Sequence, residues 1–517
     1  MSNLITPTHQ NGEHVSGNSL CKINSTFVTL DTFYGKVHVE WDPQAAVTPL
    51  GQMPFFIEFL KTTNLFDNFV EDFPLTPMSN RTANKRDVLG TLLLSILSGH
   101  TRYAHIMALR CDGVNAPLLG MNKIVSEDTA RRTLLRVDEQ AGNTCLEKHL
   151  RNSYYPLLSL PWIMDIDSTV KVLYGAQEGA EIGYNPKKPG RPSHNYHTYY
   201  ISNIRMILDV EVEDGKSSAS IYSAPKLWEI IDALPLDRRP AFIRGDSSYG
   251  TDNIMTAAEE RKIKYLFKLK ITKYVKMLIS QMMQKHDWID AGKGWQGINS
   301  EVQLSTWGQA RKVVILRRLL PKDNIGIIKK TKSNQLEFNF AEISADIRAY
   351  EYQVLVTNLD DEILTIAQHY RDRADCENNF DELKNQWGWC GYTTNDLKRC
   401  GFMAKMIALV YNWWTIFTRL ANPNSHLEAV TSRPLLLHAV AKQTTHAGQT
   451  KLTVTSTHSK SSVVTDTLNK ISAFFKRLNY NAEQCTFEQK FKAILFTAFR
   501  NFLPKCNSND QFLPLLI

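Results

Sequence analysis

The sequence predicts a multidomain α/β protein with a mainly helical N-terminal region, a core of alternating strands and helices, a β-rich insertion and a helical C-terminal region. Three observations predict it. The chain has 517 residues, more than one hydrophobic core usually organises. Apolar residues recur with helical spacing from 53 to 157. From residue 161 the pattern changes to three strands, a helix, a strand, a helix and a strand. The predicted regions are 1–158, 159–274 (core, first part), 275–350 (insertion), 351–422 (core, second part) and 423–517.

Taken in order, residues 1–25 are polar, and residues 26–41 alternate around a glycine like a hairpin. A helical run, Arg86–Leu97, opens at Asn84 or Lys85 and closes at Ser98-Gly99, and a further helix is expected over 101–110. Ser126-Glu-Asp-Thr129 reads as an N-cap before the basic run Ala130–Arg136. Short helices with a basic one among them resemble a helix-turn-helix DNA reader; a plain helical bundle fits the segment equally well. In the core, Trp162–Val170 is an apolar strand carrying Asp165 and Asp167. A second strand is predicted over 197–213 with its partner at 216–222, then a helix at 225–233. Ala241-Phe-Ile-Arg244 ends in Gly245-Asp246, followed by a helix at 252–261 and the strand Lys264–Lys270. The insertion holds strand-like stretches at Glu301–Leu304, Lys312–Leu316 and Gln335–Phe340. The core resumes with Gln353–Thr357 and a helix through residues 370–384. An apolar helix, Arg399–Leu420, carries Trp413 and Trp414 and should be buried. Residues 443–464, rich in Ser and Thr, read as a linker before helices at 465–478 and 486–501.

Sixty basic against 52 acidic residues give a net charge of +8, spread along the chain rather than in a tail. Such a surplus suits nucleic acid or an anionic surface. The eight cysteines form no CxxC pair and no Cys/His run with zinc spacing, which suggests reduced thiols and a cytoplasmic setting. The N-terminus lacks the basic and apolar regions of a signal peptide, and no apolar run is long enough to span a bilayer, so a soluble protein with no membrane partner is expected.

Tyr370, Arg373, Glu377 and Lys384 stand at offsets 0, 3, 7 and 14. On one helix, at about 100° per residue, they share a face roughly 60° wide. A carboxylate among phosphate-binding groups points to chemistry on a phosphodiester; a solvated face with an Arg373–Glu377 ion pair is the alternative. Asp165 and Asp167, two residues apart, lie on one face of their strand, and Asp246 ends another apolar strand. Each alone could be a cap or turn residue. Acids in apolar strands are costly unless paired or bound to a cation. With Glu377 they offer hard oxygen ligands from separate elements, the set that Mg²⁺ or Mn²⁺ prefers.

On these motifs the chain resembles the DDE transposases of bacterial insertion sequences. The matching segments are Asp167-Ser-Thr169, Arg244-Gly-Asp246-Ser-Ser-Tyr249, and the Tyr370/Arg373/Glu377/Lys384 set, which fits the Y-(2)-R-(3)-E-(6)-K signature of the cut-and-paste branch. Tyr174–Ala180 and Gly183–His194 resemble the thirteen-eighty group within that branch. The resemblance spans about residues 160–420. It implies an RNase H-like mixed sheet flanked by helices and a β-rich module between Asp246 and Glu377. It also implies that Asp167, Asp246 and Glu377 bind two Mg²⁺ ions, with Mn²⁺ as a substitute; Asp165 remains an alternative first ligand. Tyr370, Arg373 and Lys384 would hold phosphates of the cut end. The loop with Lys187, Lys188 and Arg191 suits DNA phosphates; an ordinary surface loop is the alternative. One of Trp288, Trp295 and Trp307, with Trp307 preferred, would stack on a flipped base. The expected substrate is double-stranded DNA, both terminal inverted repeats and target, bound by a synaptic homodimer and cut through a hairpin end. Two rival readings stay open: an RNase H-like nuclease or resolvase, and a catalytically silent DNA-binding descendant.

Overall fold

The computed structural model describes residues 27–75, 83–185, 188–320, 350–480 and 486–502, and the chain divides into two compact units, Met1–Ala45 and Ala46–Ile517. In the first unit, β1 (Val28–Thr32) and β2 (Gly35–Val39) form the expected antiparallel hairpin, with Val28 opposite Val39. Gly35 turns it at φ 119°, a conformation that a side chain would oppose.

The second unit begins with β3 (Val47–Thr48) and a helical stretch: α1 (Met53–Thr62), α2 (Leu65–Asp72), α3 (Lys85–Leu97), α4 (Ile106–Leu109), α5 (Asn115–Leu118), α6 (Glu127–Arg136) and α7 (Glu139–Tyr154). The predicted starts hold where a side chain caps the helix. Asn84 accepts from Arg86 N and Ser126 from Thr129 N, while Asp138, which the sequence reading leaves unassigned, caps α7 by accepting from Ala141 N.

The core follows as β4 (Ile163–Val172), β5 (Ser193–Ile201), β6 (Met206–Asp214), α8 (Ala219–Asp232), β7 (Phe242–Gly245), α9 (Asp252–Glu260) and β8 (Lys264–Lys268). This is the predicted order with two corrections. The single strand expected over 197–213 is the hairpin β5–β6, turned at Ser202–Arg205, where Arg205 takes the left-handed conformation at φ 55° without a Gly or Pro to announce it. The strand expected at 216–222 is a turn and the first turn of α8; Pro225 lies inside that helix and disguises its start.

Next come α10 (Lys273–Met283), β9 (Ile289–Gly292), β10 (Trp295–Val302), β11 (Arg311–Leu319) and β12 (Tyr350–Thr357); the strand expected at Gln335–Phe340 lies outside the described residues. β12 pairs antiparallel with β8 on one side and with β11 on the other. The inserted strands therefore extend the central sheet to nine, in the order β6-β5-β4-β7-β8-β12-β11-β10-β9. β4, β7 and β8 run parallel. With β5 and β6 they make the mixed five-stranded arrangement that an RNase H-like core requires.

The chain ends with α11 (Ile363–Arg371), α12 (Ala374–Asn385), α13 (Leu397–Ala421), α14 (Ala429–Leu436), β13 (Ala441–His446), β14 (Gln449–Val454), α15 (Ser461–Tyr480) and α16 (Phe487–Phe499). Two expectations fail. The single helix through 370–384 is two helices, α11 and α12, broken at Asp372-Arg373. The linker contains a hairpin, β13–β14, joined to β3. Its strands carry Thr, a good strand former, around a left-handed Ala447-Gly448 turn.

Helix α13 is buried along almost its whole length, as predicted, and packs on β6, α7 and α16. Lys405 of α13 crosses this interface to Asp209 of β6 at 2.6 Å and to Glu147 of α7 at 2.9 Å. Among the described residues no helix is long and apolar enough to cross a membrane.

Candidate active site

The site forms where β4 and β7 run side by side. Ile166 faces Gly245 in register, so Asp167 and Asp246 follow one step further on neighbouring parallel strands. The Asp246 Oδ1 atom accepts from Ser248 N at 2.8 Å, which fixes the turn after β7. Asp167 accepts from Ser168 N at 2.8 Å through Oδ1, while its Oδ2 meets the Arg373 guanidinium.

Arg373 enters at the N-cap position of α12. It bridges two carboxylates, Asp167 through Nη2 and Glu377 through Nη1 at 3.3 Å. Helix α12 buries Cys376, Asn379, Phe380 and Leu383, an i, i+3, i+4, i+7 stripe, which leaves Glu377 exposed on the outer side. Asp246, Tyr370, Arg373 and Glu377 line one cleft of about 400 Å³, together with Ser247, Lys268, Gln353 and Arg371. A larger cleft of about 1110 Å³ shares Asp246 and Lys268 with it. Lys384 lines the larger cleft, as do Ser168, Thr169 and Tyr352.

The electrostatics follow from burial and crowding. Burial pushes the Asp167 carboxyl up to about 7; Arg373 pulls against this and Asp246 adds to it. Burial would lower the Arg373 guanidinium, but Asp167 and its neighbours hold it raised. Burial pushes the Tyr370 phenol up to about 12, so it stays a neutral donor. Negative charge at Asp167 is thus expensive and is relieved here by a guanidinium. A divalent cation would relieve it in the same way, and three carboxylates are the oxygen donors such an ion prefers. Among the described residues, however, no group of three or more His, Cys, Asp or Glu side chains is arranged to hold a metal ion.

Asp165 differs from its neighbour. Both of its oxygens are taken by Arg244, at 2.5 Å from Nε and 2.7 Å from Nη2. Arg244 also donates to Ser202 Oγ at 2.6 Å and to the carbonyl of His369. This buried pair ties β4 and β7 to the end of α11, next to Tyr370.

The remaining predicted residues lie further out. Lys188 and Arg191 are exposed, and both place their charge over the Tyr174 ring; Lys187 lies outside the described residues. Trp307 is only 6% exposed, carries Arg311 over its ring and does not line either cleft. Trp295 is also buried. Trp288 packs against Tyr352, ring centroids 6.5 Å apart, and Tyr352 lines the larger cleft. His194 and His197 are buried in β5, with Nε2 against Glu178 O at 2.8 Å and Ser217 Oγ at 3.2 Å. Sequence reasoning missed Arg244 and Lys268. Both sit at C-terminal ends of parallel strands, where sites in such sheets collect.

The fold and site can be set beside known proteins. A family model described as transposase DDE domain group 1 matches residues 56–475, well over half of the chain. No curated protein matches significantly. Among solved structures, the cryo-EM structure of a piggyBac transposase synaptic complex with hairpin DNA aligns at 12% identity and TM-score 0.39, covering 90% of this chain and 89% of that one; so distant a likeness carries no argument. The match over 56–475 takes in β4, β7 and α12, and with them Asp167, Asp246 and Glu377: the chain belongs to the transposase DDE domain group 1 family.

Proposed function

We propose that this protein is the DNA transposase of a bacterial insertion sequence in the cut-and-paste, Y-R-E-K-bearing branch, akin to the thirteen-eighty group. One observation carries the reading: a single cleft gathers Asp246, Tyr370, Arg373 and Glu377, with Asp167 held to the same Arg373. In this reading Asp167, Asp246 and Glu377, which are not grouped for a metal in this structure, would draw together around two divalent cations, Mg²⁺ or Mn²⁺, once Arg373 releases Asp167 and Glu377. Bound there, the cations would favour both attack on a phosphodiester and departure of its leaving oxygen. Arg373 exchanges its carboxylate partners for a phosphate, which its guanidinium fork can grip bidentately. Tyr370 donates a neutral hydroxyl, and Lys384 and Lys268 supply positive charge along the cleft.

Water would open the phosphodiester at the element's end. The freed 3′-OH would attack the opposite strand to close a hairpin, later reopened and joined to target DNA. Two copies of the chain would hold two terminal inverted repeats, read through the helical N-terminal region. Of the three insertion tryptophans, Trp288 is the best placed to serve an unpaired base, through its contact with cleft-lining Tyr352.

The test is cleavage of a labelled element end in Mg²⁺. Asp246→Ala should bind the end with near-normal affinity and lose cutting by at least about a thousandfold, on the scale of removing a group that acts only in the transition state. Strand cutting by Asp246→Ala at the wild-type rate would rule out this assignment.

A further inference from the structure

The larger cleft runs from Asp246 past Ser168 and Thr169 to a wall that the reaction does not use: Tyr184, Asn185 and the start of α8. Helix α8 is 14 residues long, and its N-cap residue, Ser218, makes no capping hydrogen bond with its side chain. Ser218 is exposed and Ser220 half-exposed, and both line the cleft. The first N–H groups of a helix have no partner within it and lie at the positive end of its dipole. Asn185 lines the same cleft. The residue is 5% exposed; Oδ1 accepts from Lys188 N at 3.0 Å, while Nδ2 is buried with no hydrogen-bond partner. A buried amide N–H₂ without an acceptor is costly unless an acceptor arrives from outside.

The two walls are held against each other by backbone contact. A Cβ on Gly183 would lie 1.8 Å from Gly215 O, and one on Gly215 would lie 2.1 Å from Glu181 O. Asn195 Nδ2 fastens the same turn through Gly215 O at 3.3 Å and Ser217 O at 2.9 Å. The charges around it are mixed. Lys216 lines the cleft and pairs with Glu181 at 2.7 Å, and Asp214 caps Lys216 N at 2.8 Å.

We infer that Asn185 Nδ2, the hydroxyls of Ser218 and Ser220 and the amides of Ala219 and Ser220 at the start of α8 form a phosphate subsite. It takes one backbone phosphate of the DNA strand whose neighbouring phosphodiester lies at Asp167, Asp246 and Glu377. The subsite donates hydrogen bonds without reading a base, as helix N-termini do for anions. It fixes how far along the strand the cut falls. This rests on the transposase reading for its ligand, since the cleft is continuous with the carboxylates.

The test uses the full-length protein in Ca²⁺, with labelled DNA ends carrying one neutral methylphosphonate at successive positions. In the wild type, neutralising one phosphate a few nucleotides from the cut should weaken binding about tenfold. Ser218→Asp should keep or raise the thermal midpoint, because Asp is a good N-cap. It should bind unmodified DNA about tenfold more weakly, lower the salt slope by about 1, and lose the sensitivity to that one methylphosphonate. Asn185→Ala should lose the same sensitivity. If both variants keep the wild-type methylphosphonate profile, the subsite is refuted while the carboxylate reading stands. If the wild type binds no DNA, both fall. Saturation of the subsite by inorganic phosphate, with DNA binding unaffected, would assign a free anion and also refute it.

Discussion

Arg373 is the residue on which the site turns. Its guanidinium lies where two carboxylates converge, so a side chain expected to hold DNA also neutralises Asp167. Asp165 and Asp167 share one strand face, yet they do different things. Asp165 is closed off by Arg244, which spends all three donor nitrogens on Asp165, Ser202 and His369. That pair is fully buried, at 0% and 1% side-chain exposure. Removing one member strands the other charge, at a cost of about 3–5 kcal/mol. Arg244→Met should therefore destabilise the protein by that amount in urea denaturation. Adding Asp165→Leu should recover much of the loss; a double variant no more stable than Arg244→Met would refute this account. The acids themselves were legible in the sequence, because a carboxylate amid Ile, Met and Phe needs an explanation. Which of the two meets Arg373 was not, because the answer rests on Arg244, 79 positions downstream of Asp165.

At the scale of elements, the corner between α11 and α12 places Tyr370 and Arg373 at the site, and the inserted sheet supports it. Gly297 of β10 lies under α11: a Cβ there would come within 2.3 Å of the buried Ile363 Cγ2. Gly297→Ala should push the first turn of α11 outward and cost about 1–3 kcal/mol. It should reduce end cleavage more than end binding, because Tyr370 and Arg373 move while the rest of the cleft stays. Cleavage at the wild-type rate, measured beside binding to the same labelled end, would show that α11 does not depend on this contact. The strand and helix order of the core was legible, since each element carries its own apolar period and its own caps. The break at Asp372-Arg373 was not, because the helical spacing of Tyr370, Arg373 and Glu377 runs through it. Nor was the β13–β14 hairpin, whose mainly polar, threonine-bearing strands have exposed faces and offer no apolar alternation to read. The contact between Gly183 and Gly215, which sets Asn185 and the start of α8 in one cleft, was equally hidden, since it depends on two loops touching.

Across the whole molecule, buried titratable groups set how stability follows pH. His197 is held neutral by burial, its pKa lowered to about 4 from 6.5. Below pH 6.5 the unfolded chain therefore binds more protons than the folded one, and stability falls as pH drops toward 4. Glu211 works in the opposite direction. Burial raises it from 4.5 to about 7 against the hydrogen bond from Tyr199, with Asp209 adding to the rise. Between those values the folded chain holds the extra proton, so stability is lost as pH climbs toward 7. Between pH 4.5 and 6.5 the two trends oppose each other and largely cancel. His197→Gln should therefore leave a thermal midpoint that falls as pH rises through this window, and Glu211→Gln one that climbs, as followed by calorimetry in steps from pH 4 to 8. Variants with unchanged slopes would show that other groups set the profile.

The unbroken sheet has a mechanical consequence. From β6 to β9 every strand is laced to the next by backbone hydrogen bonds, and β12 is stitched on both edges. Such a plank bends and twists, but it has no hinge. A pull on the outermost strand is carried to β8, and so to the edge of the cleft, as elastic strain rather than as the swing of a flap. Among the described residues, the play needed to admit and release a rigid duplex would then come from rotating side chains and from the two-residue knuckle at Asp372-Arg373.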